Sequence, residues 1–173
     1  AFRFNDLDKP DGNARVASEF VAAHLVALAE RGADFNVPAP VSGSLPLALA
    51  ASVPRCPDPV LNALLDGGAA PKGVEITAEG TRVNLLAACM FSDLSPSVAA
   101  RFVDAGVRWD IAYKPFGDRP FIEAAPQFAP AMALALGEHS EAFRTALLER
   151  RSSTGVSMLG AAAVSGHEPL IRY

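Results

Sequence analysis

The residue types that most often carry catalysis or bind metals are few in this chain and lie far apart. The histidines are His24, His139 and His167, and the cysteines are Cys56 and Cys89. The sequence holds no nucleophile elbow, no phosphate-binding glycine loop and no pair of histidines at i and i+4. We therefore expect no catalytic residue, no cofactor site and no metal site in this chain, and no enzymatic activity of its own.

Two weaker patterns point the same way. Asp6, Asp8 and Asp11 have the spacing that opens a calcium loop, but the glutamate that would complete the loop is absent, which favours a solvated polar terminus. The two cysteines have no zinc-type spacing. We expect both to be reduced thiols, and a disulfide between neighbouring structural units is the alternative.

The amino-acid composition indicates a folded chain with a sizeable hydrophobic core. It has 173 residues, of which 50% are hydrophobic and 20% charged. The net charge of −4 argues against a dedicated nucleic-acid binder. No apolar run approaches the roughly 20 residues that a membrane span needs, and no signal peptide is visible. The chain does not begin with Met, so we expect it to be a segment of a longer protein.

One stretch, residues 43–69 (GSLPLALAASVPRCPDPVLNALLDGGA), gives the organisation of the chain. Pro46 marks the start of a short apolar helix, and a second apolar run, residues 60–65, ends at Gly67 and Gly68. Each predicted helix is too short to be stable alone in water. The unit is reasonable only if copies of it stack and bury one another's apolar faces.

The stretch resembles an ankyrin repeat, whose consensus runs Gly-x-Thr-Pro-Leu-His-x-Ala-Ala and then Val-x-x-Leu-Leu-x-x-Gly-Ala-Asp. Degenerate copies recur at a spacing slightly above the family's period of about 33 residues. Their closing or opening glycines are Gly32, Gly68, Gly106, Gly117 and Gly155. The resemblance implies an all-α, ankyrin-type helical solenoid of four to five helix-loop-helix repeats with finger loops, over residues 15–173 after a polar segment at 1–14.

The chain departs from the family at the start of each inner helix. The capping threonine is replaced by Leu45, Val83, Arg119 and Ser157, of which only the last keeps a hydroxyl. We therefore expect the hydrogen-bond network of consensus repeats to be largely missing. In the fourth repeat, we predict an outer helix over residues 139–151, with residues 126–137 an insertion or an extended inner helix.

The repeat register also predicts the core and the helix ends. Gly32, Gly68 and Gly106 should adopt positive φ at helix C-termini. Trp109 is predicted to pack in the core. The other predicted core residues are Leu47, Leu64, Leu65, Leu85, Phe102, Phe121 and Leu159.

The resemblance also implies that the fingers and inner helices bind a partner protein. The fingers are residues 72–81 (KGVEITAEGT) and 111–117 (IAYKPFG). Aromatics beside a cation are typical of interface hot spots. We therefore predict that the partner contacts Tyr113, Lys114, Phe116, Glu123, Phe91 and Met90. The alternatives are that Phe116 folds back on the neighbouring finger, that Met90 and Phe91 pack inside, and that Glu123 is merely solvated.

The function expected from these features is protein–protein interaction, with no nucleic acid, membrane span or cofactor involved. One alternative is the substrate-docking domain of a larger bacterial effector enzyme, whose catalytic domain would lie N-terminal to this segment and whose partner would be a host protein. A self-associating scaffold and an enzyme in its own right are the others. The expected location is the cytoplasm, or a host cell's cytoplasm if the protein is a secreted effector.

Overall fold

The chain is mostly helical, as the sequence predicts. A computed structural model describes residues 12–40, 42–78, 80–151 and 155–172. Within these ranges the helices are α1 Gly12–Glu30, α2 Pro46–Ala51, α3 Asp58–Asp66, α4 Leu85–Phe91, α5 Pro96–Asp104, α6 Phe121–Phe128, α7 Pro130–His139, α8 Glu141–Glu149, α9 Met158–Ser165 and α10 Glu168–Arg172. Two antiparallel strand pairs interrupt them: β1 Glu75–Ala78 with β2 Thr81–Asn84, and β3 Ala112–Tyr113 with β4 Arg119–Pro120.

The polar segment predicted at residues 1–14 lies mostly outside the described residues. The aspartates with calcium-loop spacing, Asp6, Asp8 and Asp11, are among those that are not described. The first described residue, Gly12, already belongs to α1, so this helix begins before the predicted boundary at residue 15.

The helices pack in two rows. In the first row, α2 contacts α4, α4 contacts α6, and α6 contacts α9. In the second row, α1 contacts α3, α3 contacts α5, α5 contacts α7, and α7 contacts α10. Helix pairs such as α2–α3, α4–α5 and α6–α7 join the rows. Short helices that could not persist alone are thus stabilised by burying their apolar faces between the rows.

Helix α8 lies outside both rows, so the predicted register of the fourth unit is wrong. The second-row position belongs to α7, which starts at Pro130, whereas the sequence predicts the outer helix over residues 139–151. Proline is well suited to the first turn of a helix, so Pro130 opens a new helix rather than extending α6. Helix α7 buries Met132 and Leu136, while α8 packs against α7 and buries Phe143 and Leu147.

The core runs between the two rows. Trp109, predicted to lie in the core, is partly buried and packs edge-on against the buried Phe143, with the ring centroids 5.5 Å apart. Leu65 is only partly buried, and the side chain of Leu159 lies outside the described residues. The other predicted core residues are buried: Leu47, Leu64, Leu85, Phe102 and Phe121.

Three helices of the second row end in the same way, and the prediction for their glycines is confirmed. Gly32, Gly68 and Gly106 have φ of 84°, 93° and 78°. The residue after each glycine donates its N–H to a carbonyl five residues earlier, as in Ala69 N to Leu64 O at 2.9 Å. Only a residue that tolerates positive φ allows this closure, which satisfies one of the last carbonyls of the helix.

The side-chain caps of the first-row helices follow the expectation only in part. Asn84, one residue after the predicted position, caps α4 by accepting from Ala87 N at 3.0 Å. Its Nδ2 also donates to Arg108 O at 2.6 Å, which ties the start of α4 to the segment that follows α5. Ser157 caps α9 as predicted, accepting from Gly160 N at 3.2 Å. No side-chain cap is present at α2 or α6, so the prediction that the hydrogen-bond network is largely missing fails only at α4.

Candidate functional site

The finger at residues 111–120 turns its aromatic side chains inward. Tyr113 is 7% exposed, and its hydroxyl accepts a hydrogen bond from Asn84 N at 3.2 Å. Phe116 is 5% exposed and stacks on Phe91, with the ring centroids 5.1 Å apart and the planes at 12°. Burial raises the pKa of the Tyr113 hydroxyl. Both aromatics therefore anchor the finger to the body of the protein.

This arrangement corrects the predicted orientation of the contact residues. Of the finger's three predicted contacts, only Lys114 is exposed. Phe91 and Met90 are partly buried and pack against the core, with Phe91 lying under the finger. Phe116 folds back as the alternative predicts, but onto Phe91 of α4 rather than onto the neighbouring finger, and a stacked, buried ring is not available to a partner.

Glu123 is buried rather than solvated. Its side chain is 9% exposed and accepts from Arg150 Nε at 3.1 Å. The arginine side chain is 38% exposed, so the ion pair reaches from the core to the surface. A buried carboxylate needs such a partner, because desolvation without one is costly.

The Glu123 side chain lines a cleft between two first-row helices, α6 and α9. The cleft encloses about 150 Å³. One wall is polar: Glu123 and Gln127 lie about one turn apart on α6, and Arg119 precedes that helix in β4. The other wall is mainly apolar and consists of Val156, Met158, Ala161 and Val164. We call this feature the α6–α9 cleft.

An exposed aromatic stands beside the cleft. Phe128 is 55% exposed, and the guanidinium carbon of Arg119 lies 5.4 Å from its ring centroid. Arg119 Nε donates to Phe116 O at 2.8 Å, and Nη1 donates to Gln127 Oε1 at 2.9 Å. Two hydrogen bonds and a cation–π contact therefore fix the cation next to an apolar surface.

The titratable groups elsewhere hold the structure together. His139 Nε2 lies 2.9 Å from Asp104 Oδ1 and links α5 to α7, and the backbone N–H of Leu170 donates to His167 Nδ1 at 3.2 Å. His24 contacts the carbonyl of its own helix at Phe20. Among the described residues, no three His, Cys, Asp or Glu side chains are grouped so as to hold a metal ion.

The cysteines are both free and buried. Burial raises the pKa of the Cys56 thiol to about 11 and raises that of Cys89 further above its usual value. The thiolate is the reactive form of cysteine, so neither side chain has the low pKa of a catalytic nucleophile.

A second apolar surface lies at the other end of the rows, on α1. This helix packs on α3 and leaves large hydrophobic side chains in solvent. Phe20 is 63% exposed and Val16 is 65% exposed. This surface provides apolar area of the same kind as the rim of the α6–α9 cleft, and it lies on a different helix row from that cleft.

In the part of the chain that the structure covers, no helix is both long and apolar enough to cross a membrane.

The placement of Arg119 and Phe128 beside a cleft is not predicted from the sequence. In the sequence, Arg119 stands out only as the replacement of a capping threonine. A signal is nevertheless present, because Arg119, Glu123 and Gln127 recur every four residues within an otherwise apolar stretch. Polar residues at this spacing indicate that this side of the helix is not completely buried against neighbouring helices.

Comparison with known proteins identified no relative. No protein-family model, curated protein or solved structure matches the chain.

Proposed function

We propose that this chain is a protein–protein interaction module, built as an ankyrin-type solenoid, and that its binding face is the first row of helices. Two features of the structure support the solenoid assignment. All described helices except α8 stack in two rows in chain order, and the second-row helices α1, α3 and α5 end at glycines with positive φ. In such stacks each unit contacts only its neighbours, so one face stays continuous and open along the array.

The α6–α9 cleft is the observation that carries the proposal. It brings together an exposed phenylalanine, a fixed arginine and an apolar wall. Aromatic and arginine side chains at the centre of an interface contribute most of its binding energy. Val164, which is 74% exposed at the edge of the cleft, adds to the apolar surface that a partner would cover.

The size of the cleft favours a protein partner over a small-molecule ligand. Sites for drug-sized ligands and cofactors usually enclose about 300–1,000 Å³. The α6–α9 cleft encloses about 150 Å³, which suits one or two inserted side chains. A side chain of a partner would bury its apolar part against the exposed Val156 and Val164 while the rest of the partner lies across the helices.

The test is selection from a random peptide library, displayed on phage as N-terminal fusions, against the immobilised chain. Selected peptides are then synthesised, and their Kd is measured by calorimetry for the wild type and for the double variant Phe128→Ala/Val164→Ala. Both side chains are largely exposed, so the variant should fold normally. We expect its Kd to rise by about tenfold or more, because hot-spot truncations cost about 2 kcal/mol or more.

The matched control is the double variant Val16→Ala/Phe20→Ala on α1. It removes one valine and one phenylalanine of similar exposure at a distance from the cleft. We expect this control to bind as the wild type does. Peptides that bind the wild type and the cleft variant equally, or that lose affinity only for the α1 variant, would place the binding surface elsewhere and contradict the proposal.

A further inference from the structure

Arg119 differs from most of the described arginines in the kind of group that surrounds it. Its hydrogen-bond acceptors are a backbone carbonyl and an amide, both neutral. Within the described residues, its guanidinium forms no ion pair with a carboxylate. The following arginines are each paired with a carboxylate: Arg55, Arg82, Arg101, Arg108, Arg144, Arg150 and Arg172.

The guanidinium of Arg119 retains donors for a ligand. Arginine has five N–H donors in a planar fork, and the contacts to Phe116 O and Gln127 Oε1 use two of its three nitrogens. The fork matches the two oxygens of a carboxylate. Because the same contacts and the Phe128 ring fix the side chain, little conformational entropy remains to be lost on binding.

The charges of the cleft favour an anionic partner group. Glu123, the acidic residue of the lining, is already paired with Arg150, so it opposes a second carboxylate only weakly. Arg119 thus provides a positive charge without a carboxylate partner in a chain whose net charge is −4. A partly buried cation next to an apolar wall selects a ligand that is both acidic and apolar, since desolvated opposite charges attract more strongly than exposed ones.

We propose that the α6–α9 cleft binds a peptide segment of a partner protein in which an Asp or Glu side chain lies close to an apolar one. The carboxylate pairs with Arg119, and the apolar side chain packs on the exposed Phe128 and Val164. This inference rests on the proposed function and specifies the chemistry of the partner at the same site.

The test uses the peptides selected on the wild-type chain, synthesised with amidated C-termini so that the only carboxylates are side chains. We expect an Asp or Glu beside an apolar residue to be enriched among them. Replacing that acidic residue by its amide should weaken binding to the wild type by about tenfold to a hundredfold, the usual effect of losing a hydrogen bond to a charged group. The Arg119→Gln variant should lose the same factor and should no longer distinguish the acid from the amide peptide.

Arg82→Gln is the control, because it makes the same change of charge at an exposed side chain of the first hairpin and should leave Kd unchanged. The peptide substitution tests the inference even if Arg119→Gln fails to fold. If peptides bind the cleft, as judged by the Phe128→Ala/Val164→Ala variant, but do not distinguish acid from amide, the inference is wrong and the proposed function stands. If peptides bind that double variant with the wild-type Kd, both are wrong.

Discussion

Two groups of aromatic and cationic side chains lie close together in the sequence but differ in the exposure of their aromatic rings. In the finger, Tyr113 and Phe116 are buried on either side of the exposed Lys114. At the α6–α9 cleft, Phe128 is 55% exposed beside Arg119. Composition alone would assign the first group to an interface, yet the second is the one that presents an aromatic ring to solvent.

The difference comes from backbone geometry. In β3, Ala112 faces solvent and Tyr113 faces inward, because successive strand residues point to opposite sides. The 3-10 turn that follows ends at Gly117, with φ of 69°, and its Phe116 stacks on Phe91. Phe128 is the last residue of α6, beyond the buried part of that helix. An aromatic at a helix end is thus more accessible here than one in a tight finger.

The largest expected effect is that of Phe116→Ala. Truncating a buried phenylalanine removes its packing and leaves a cavity, which should lower the free energy of unfolding by about 3–5 kcal/mol. Denaturant unfolding followed by circular dichroism measures the change. A loss below about 1 kcal/mol would mean that the ring is not a structural anchor and that the finger is free to meet a partner.

A smaller loss is expected for Asn84→Ala, which tests how the start of α4 is tied to the segment that follows α5. The substitution removes the cap of α4 and the bond to Arg108 O, so we expect the free energy of unfolding to fall by about 1–3 kcal/mol. Ser157→Ala is the matched control, because its capping bond to Gly160 N is typically worth about 1 kcal/mol. If the two variants lose equal stability, the Asn84 contact to Arg108 O contributes nothing.

Phe128→Ala should have little effect on stability. It removes an exposed ring and one exposed cation–π contact, which amounts to about 0.5–1 kcal/mol. The same unfolding experiment measures it beside Phe116→Ala. If the two phenylalanine variants were equally destabilised, the contrast between a buried and an accessible aromatic group would fail, and Phe128 would have to be treated as core.

The sequence is sufficient for the features that depend on local chemistry. Glycines at helix ends and apolar positions at regular spacing predict the three positive-φ residues and most of the core, because backbone sterics and burial determine both. It is not sufficient where tertiary contacts decide. Helix α7 takes the second-row place because it buries Met132 and Leu136 against its neighbours. Phe116 is buried because it stacks on Phe91 of α4.

The smallest expected effect concerns the ion pair at the base of the finger. Asp110 accepts from Arg108 Nε and Nη2 at 2.9 and 2.8 Å, and this bonding holds the pKa of the Asp110 carboxyl below its usual value. A lowered pKa in the folded state stabilises the protein at pH values above the unfolded pKa, about 3.9, and the stabilisation is lost as the pH falls through the folded pKa.

Wild type should therefore be slightly more stable than Asp110→Asn at pH 7, and the difference should vanish in acid. Unfolding curves at several pH values measure it. Because the pair is largely solvent-exposed, its contribution should stay well below that of the Phe116 ring. A difference as large as that of Phe116→Ala would show that charge, rather than the buried aromatics, anchors the finger.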